Sequence, residues 1–454
     1  MSLQAKQLAV TFAILLTLPV ALHADDWPQW LGPQRDSVWR ETGIVKTLPK
    51  EGLPVVWRKP VAQGYSGPAV AAGRVYVTDW VIDKEAKKPE SGFPKSKGLP
   101  GTEHVHCFDE KTGKPLWTHS YDCPYSVSYP GGPRTTPTVK DGKVYTLGTM
   151  GDLLCLDAAK GSVIWSKNFV ADYKSKVPVW GFAGHPLVDG DRLICLAGGN
   201  DGDSLVVAFH KDTGKEIWRA LTELDTAHGP GYAPPMIAEV GNLRELIVWE
   251  SKAVHGLDPQ TGKVYWSQPF DLRSGMSIAT PRQYGDRLFV SAFYNGPIMF
   301  QLAQDKPAAR VLWRGRSTSE QKTDGLHTVM MTPFLKDGYI YGTCSYGQLR
   351  CLNINTGERM WESLAATGGK EQRWGNAFIV AHEDRYFLFN EHGELIVAKL
   401  SPDGYEELSR TKIIEPTNHL AGRPVVWMHP AFANKCIFVR NDKEIVCLSL
   451  AEKK

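Results

Sequence analysis

The sequence predicts an all-β chain folded as an eight-bladed β-propeller of four-stranded antiparallel blades. Three observations carry that expectation. A short motif ending in tryptophan recurs along the chain, a proline-led block of two apolar strands precedes each copy, and the two chain ends hold complementary parts of one blade.

The motif is clearest in Asp109-Glu-Lys-Thr-Gly113-Lys-Pro-Leu-Trp117. It returns as Asp157 to Gly161 to Trp165, His210 to Gly214 to Trp218, Asp258 to Gly262 to Trp266, and Asn353 to Gly357 to Trp361. A polar residue caps a turn, Thr-Gly or its equivalent supplies a residue able to take positive φ, and the next strand carries a tryptophan that packs one blade on its neighbour. Val55-Val56-Trp57 and Val311-Leu312-Trp313 keep the tryptophan without the glycine turn. The docking series is therefore Trp57, Trp117, Trp165, Trp218, Trp266, Trp313 and Trp361, at intervals of about 50 residues, the length of a four-stranded blade. An eighth outer strand is expected near Glu406 to Ile414, with Leu408 in the tryptophan place.

The second block reads Thr136-Pro137 through Asp141-Gly142 to Tyr145, His185-Pro186 through Gly190 to Cys195, and Thr332-Pro333 through Asp337-Gly338 to Tyr341. Asp-Gly between two apolar runs is a hairpin signal. Further copies begin near Pro68, Pro235, Pro281, Ala377 and Pro430, making eight. The last has no outer strand after Leu448, and Pro54-Val-Val-Trp57-Arg58 is an outer strand with no inner strands before it. Pairing the two closes the ring and removes two exposed sheet edges. On this reading Pro54 to Lys59 is essential, and Ala451 to Lys454 is dispensable.

Domain limits follow. Lys6, the apolar run from Leu8 to Val20 and Ala21-Leu22-His23-Ala24 describe a cleavable secretory signal over 1–24, too short to span a bilayer comfortably. An N-terminal extension covers 25–53 and the propeller 54–450. No transmembrane span is expected in the mature protein. The first cysteine is Cys107, so no lipid-receiving cysteine follows the signal, and the expected location is the periplasm or the extracellular space. Two insertions interrupt the period. One, between Trp80 and Glu103, reads as a mobile polar surface loop. The other, Gly198 to Asp203, reads as a hairpin turn and not a calcium loop, because it lacks the closing glutamate.

Composition agrees with many short strands joined by glycine turns: 15 Trp and 43 Gly, with 42% hydrophobic and 22% charged residues. Basic and acidic residues, 52 and 49, are dispersed without a basic block, which excludes nucleic acid as a partner class. Of eight cysteines, Cys107, Cys155, Cys351 and Cys447 share one repeat place, and Cys195, Cys344 and Cys436 lie one strand earlier. They read as small buried hydrophobes and not as disulfide partners. Cys123 is the expected exposed thiol.

Loops running from an outer strand to the next inner strand gather at one mouth of a propeller channel. They supply Tyr65, Arg134, Trp180, His185, His228, Tyr232, Arg273, His327, Arg373, Trp374, Arg423, Trp427 and His429. Such a funnel suits an anionic or planar ligand, by arginine forks and aromatic stacking; the alternative is a water-filled channel whose polar groups bond between blades. His185 and His429 hold one repeat place in separated blades and are not expected to meet on a metal, and no metal site is expected elsewhere. No nucleophile elbow, zinc-protease helix, phosphate loop or haem-attachment motif occurs.

The stretch Gly256-Leu-Asp258-Pro-Gln-Thr-Gly262-Lys-Val-Tyr-Trp266 resembles the pyrroloquinoline-quinone (PQQ)-type propeller repeat, and the resemblance covers nearly all of the mature chain. The opening Asp26-Trp-Pro-Gln-Trp-Leu-Gly-Pro-Gln-Arg-Asp36 is similar to the start of secreted members of that superfamily from planctomycete-like bacteria. Two branches imply two functions. Quinoprotein alcohol dehydrogenases carry PQQ on the channel axis with calcium, an Asp base and a vicinal cysteine pair, and this chain has no adjacent cysteines. The BamB branch implies a non-catalytic scaffold in outer-membrane protein assembly, although its typical members carry the lipidated cysteine missing here. The expectation is an exported, non-catalytic binding or scaffold propeller without cofactor. Its partners would be envelope or secreted proteins or a small polar ligand, and a monomer is expected. The alternatives are a PQQ- and calcium-dependent oxidoreductase working at the mouth, and a carbohydrate- or peptide-binding propeller.

Overall fold

The Asp-Gly pairs form the turns expected of them. Asp141 and Gly142 have φ of 49° and 72°, and Asp337 and Gly338 52° and 82°, the two successive positive values a tight type I′ hairpin requires. Thr138–Lys140 thereby pairs with Lys143–Leu147, and Phe334–Lys336 with Tyr339–Thr343. The structure, a computed structural model, describes residues 26–86, 97–222, 229–420 and 422–452. The expected signal peptide and the middle of the polar insertion after Trp80 lie outside the described residues.

Eight four-stranded antiparallel sheets follow one another as an eight-bladed propeller. Blades 1 to 8 span 69–122, 138–168, 187–220, 236–269, 282–314, 334–363, 377–412 and 431–449. Blade 8 takes its outer strand from the other end of the chain. Val55–Pro60 runs antiparallel to Glu444–Ser449, with Trp57 opposite Cys447 and Pro60 opposite Glu444. A short extra hairpin, Asn418–Leu420 with Arg423–Val425, sits between blades 7 and 8. No helix among the described residues is long and apolar enough to cross a membrane.

The recurring motif works between blades. Asp109 accepts from the Thr112 amide and hydroxyl, fixing a turn in which Gly113 has φ 66°. That glycine lies on the Trp57 ring of the preceding blade, where an added Cβ would come within 2.7 Å of the indole. Gly161 on Trp117, Gly214 on Trp165, Gly262 on Trp218 and Gly357 on Trp313 repeat the contact. The indole N–H groups of Trp57, Trp117, Trp165, Trp313 and Trp361 donate to main-chain carbonyls of the following blade, at Glu110, Ala158, Lys211, Ile354 and Ser401. Trp266 faces blade 5, whose copy lacks the glycine turn, and donates instead to the buried carboxylate of Glu245 in its own blade. The glycine thus serves both backbone conformation and a flat seat for the indole. Gly161→Ala, with φ 72° and a Cβ at 2.5 Å from Trp117, is expected to lose roughly 2–4 kcal/mol. Gly142→Ala, also at φ 72° but with open space around the new Cβ, is expected to lose only about 1 kcal/mol. Urea denaturation of both variants checks the difference.

Apolar packing is consequently distributed between blades. One cluster joins blades 2 and 3 through Tyr145, Trp165 and Phe209, another joins blades 4 and 5 through Trp249, Phe270 and Phe300, and the largest spans blades 6, 7, 8 and 1. That largest cluster also takes in Trp27, Trp39, Ile44, Leu48 and Leu53 from the N-terminal segment.

Three expectations are corrected here, at Leu408, at Cys123 and at the C-terminus. The ladder place of the docking tryptophan in blade 7 belongs to Ser409, opposite Val397, and Leu408 is the bulged residue beside it. The Ser409 hydroxyl accepts the Leu48 amide, so the N-terminal segment covers the spot that an indole covers elsewhere. Cys123 is buried, because its carbonyl receives the Trp80 indole N–H and its side chain joins the Trp80–Tyr125 stack. The other cysteines are free thiols, buried except for the half-buried Cys436. Ala451 and Glu452 are not idle, since Ala451 bridges Ile44 and the Glu452 amide donates to Gly43. The Gly198 stretch is a hairpin end, with Gly198 and Gly199 amides donating to Leu205 and Ser204.

Candidate functional site

The N-terminal segment runs through the ring. Trp27 exchanges both main-chain hydrogen bonds with Val70 on the innermost strand of blade 1, and the Pro28 carbonyl accepts the Val139 amide of blade 2. The Arg35 guanidinium donates to the carbonyls of Pro186 and Pro235, while Arg282 of blade 5 donates to those of Arg35 and Asp36. Ser37 and Trp39 then bond to Ala381 of blade 7. Burial lowers both guanidinium pKa values to about 10, which leaves Arg35 and Arg282 charged at neutral pH and bound to carbonyl oxygens. Residues 27–39 therefore plug the channel axis, a role the repeat pattern did not indicate.

Above the plug lies an axial cavity of about 580 Å³. Trp30 is part of its lining, with its indole N–H on the Thr280 hydroxyl. His185 stacks on Trp30 at 4.3 Å between ring centroids and 27°, and His429 meets the same indole edge-on at 5.0 Å. The two histidines, from separated blades, both pack on one residue outside the repeats and form no metal-type cluster among the described residues. Burial depresses both: the His429 pKa falls to about 4, and that of His185 lies well below its usual value, helped by the Arg35 charge. Both imidazoles are neutral at physiological pH.

Nine of the thirteen mouth residues line this cavity: Tyr65, Arg134, Trp180, His185, Tyr232, Arg373, Trp374, Trp427 and His429. His228 lies outside the described residues. Arg273 stands behind the wall, its guanidinium over the Tyr294 ring at 4.4 Å. His327 is fully buried beneath Phe293, whose carbonyl pairs with its Nδ1 at 3.1 Å. Arg423 is paired with the buried Glu391 and donates to the Arg373 carbonyl, so it braces the wall from outside.

Of the two lining cations, Arg134 is fully occupied and Arg373 only in part. Arg134 donates to the carbonyls of Ser128, Tyr129 and Gly132 and lies over Tyr65 at 5.2 Å. Arg373 pairs with Glu320 at 2.7 Å and stacks on Trp374 at 4.5 Å. The Arg134 fork is therefore engaged with protein groups, whereas the buried Nε of Arg373 has no hydrogen-bond partner and the aromatic faces remain available to a ring. Among the described residues no carboxylate lines the cavity. Calcium requires several oxygen ligands including carboxylates, so these residues do not fit a calcium-bound quinone.

Sequence reasoning missed Trp30, Tyr129, Phe293, Tyr294 and Phe378 in the lining. Trp30 stands before the first repeat, and Phe293 and Tyr294 sit in a hairpin inside blade 5 that opens on the same mouth. Tyr129 and Trp374 carry a signal visible only in the backbone. Their φ values are 51° and 64°, and their rings meet edge-to-face at 6.5 Å. Bulky side chains at positive φ cost of order 1–3 kcal/mol each and concentrate at ligand sites.

Comparison with known proteins agrees with this architecture. A family model described as outer membrane protein assembly factor BamB (PQQ_2) matches residues 101–363 and 302–454. The dehydrogenase subunit of a quinone alcohol dehydrogenase from Komagataeibacter europaeus is 27% identical over 34% of this chain and 22% of its own length. BamB of Burkholderia pseudomallei is 23% identical over 52% of this chain and 57% of its own. The chain thus spans under two thirds of the curated relatives it matches. Among solved structures, quinohemoprotein alcohol dehydrogenase from Comamonas testosteroni covers 94% of this chain at 14% identity and a TM-score of 0.61, with 81% of that chain covered. BamB from Moraxella catarrhalis covers 87% at 14% identity and a TM-score of 0.56, with 99% of that chain covered. With its docking tryptophans, its closed eight-bladed ring and a family model matching more than half its length, this chain belongs to the PQQ-repeat propeller family described by BamB.

Proposed function

We propose that this is an exported, non-catalytic binding propeller that holds a small ring-shaped ligand in the axial cavity. The observation that carries the reading is the pair of wall aromatics, Tyr129 and Trp374, held at positive φ beside a volume of ligand size. The lack of a lining carboxylate and the neutral histidines support binding over acid–base chemistry and over a calcium-bound quinone. With Arg134 engaged and the Arg373 charge paired with Glu320, the favoured ligand is a largely uncharged ring, such as a sugar or an aromatic heterocycle.

Trp374→Gly tests the reading. It removes the ring and relieves the strained backbone, so folding stability should hold or rise while affinity for ring ligands falls about 3- to 10-fold. Tryptophan fluorescence titrations against monosaccharides, disaccharides, aromatic heterocycles and PQQ with calcium supply the measurement. Dye reduction with alcohols in the presence of PQQ and calcium would overturn the reading in favour of an oxidoreductase, as would affinity unchanged in the variant.

A scaffold role is the second reading. It is favoured by exposed apolar residues repeated on the outer strands of the blades, at Val55, Leu116, Val163, Ile217, Val264 and Val311. An envelope partner could pack on such a rim, as the relationship to an outer-membrane assembly factor suggests.

A further inference from the structure

Blade 1 holds a polar cluster that takes no part in the axial cavity. His104 and His106 stand two apart on the strand Gly101–Asp109, so their side chains share one face. Asp79, on the neighbouring strand Arg74–Ile82, is directly opposite His104. Its two carboxylate oxygens lie 2.9 Å from His104 Nδ1 and 2.9 Å from His106 Nε2. One donor atom from each residue falls within 4.8 Å of the other two.

The surroundings orient these atoms. His106 Nδ1 meets the Thr118 hydroxyl at 3.0 Å, an outer contact that can hold the imidazole with Nε2 turned to Asp79. The Ala62 amide donates to Asp79 Oδ2 at 2.6 Å and fixes the carboxylate. Burial alone would raise the Asp79 pKa, but hydrogen bonds from both histidines and from Ala62 outweigh it and hold the group well below the usual carboxylate range. Asp79 is almost wholly buried and each imidazole is 19% exposed, so the open side of the cluster faces solvent.

We propose that Asp79, His104 and His106 bind a divalent transition-metal ion of the zinc class, with water in the remaining solvent-facing position. Two imidazoles and one carboxylate are a donor set suited to zinc, cobalt or iron, and a poor one for calcium or magnesium. Binding requires the tautomer in which the ring nitrogen facing Asp79 is free of its proton, and for His106 the N–H then lies at Nδ1, on the Thr118 hydroxyl. The site would also brace the seam of the ring. Ala62 follows the closing strand Val55–Pro60, and Arg440 of blade 8 donates to the carbonyls of both Ala62 and Thr78, next to Asp79. The nearby Arg440 charge opposes a dication, which sets the affinity below that of a closed four-ligand site.

Titration of the mature protein with Co²⁺, followed by its visible absorption band and by competition with Zn²⁺, tests the site. One saturable equivalent is expected, and Zn²⁺ should raise the melting temperature. His104→Ala and His106→Ala should each weaken binding by more than the roughly 10- to 100-fold typical of outer-contact changes, and Thr118→Val by about 10-fold. His119→Ala should change nothing, since His119 pairs with Val105 and occupies the opposite face. Near-UV circular dichroism establishes that each variant is folded. Absence of a saturable band in the folded wild-type protein, or wild-type affinity in the folded histidine variants, would overturn the assignment.

Discussion

Deleting Pro54 to Lys59 is expected to abolish the folded ring. The deletion removes the ladder from Val55 to Lys59 against Ile445–Leu448, and with it Trp57, which is buried between Phe108 and Phe438 and donates its indole N–H to the Glu110 carbonyl. Loss of a buried tryptophan side chain alone costs about 3–5 kcal/mol, against a total of about 5–15 kcal/mol for a typical domain. The deletion also leaves Glu444–Ser449 as an open edge, a template for association. Expected results are loss of the cooperative urea transition and aggregation on gel filtration. Trp57→Ala gives the graded version, a folded protein destabilised by about 3–5 kcal/mol. A deletion variant melting within a few degrees of wild type would remove the closing role from this strand. Because Ala451 and Glu452 bind the N-terminal segment, the neutral C-terminal truncation is limited to residues 453–454.

Acidification is expected to destabilise the plugged channel. His429 packs against Trp27, Trp30 and Phe378, and burial lowers its pKa to about 4, against about 6.5 for an unfolded histidine. Between these values the unfolded chain binds a proton that the folded protein refuses. Stability is therefore fully present above pH 6.5, falls as pH drops, and is lower by roughly 3 kcal/mol near pH 4 from this residue alone. His185, shifted in the same direction, adds to the slope. His429→Gln should flatten the dependence of unfolding free energy on pH between 4 and 6.5, measured by urea denaturation at four pH values. A slope unchanged in that variant would show that the titrating groups lie elsewhere.

These predictions draw on different layers of information. The seven docking tryptophans, the turn glycines and the closing strand were legible because each is a local pattern repeated at one spacing, and repetition separates signal from chance. Legibility stopped where a contact has no period. Ser409 in place of Leu408, the buried Cys123 and the pairing of Asp79 with His104 and His106 depend on register between strands, which a one-residue bulge or an insertion resets. His104-Val105-His106 is a visible alternation, but its carboxylate partner lies 25 residues away across the polar insertion.

The sequence by itself determined the ring: its blade number, its closure and the docking tryptophans between blades, since each depends on neighbours in a repeat. Only the tertiary structure decided what the ring contains. Trp30 reaches Thr280 across 250 residues, and His185 and His429 meet on its indole from separate blades. Contacts across the channel join residues of blades far apart in the chain through a segment outside the repeats, so neither sequence separation nor repeat phase marks them in advance. The same geometry turns a list of mouth residues into an aromatic cavity with its arginines engaged, and the N-terminal extension into the plug beneath it.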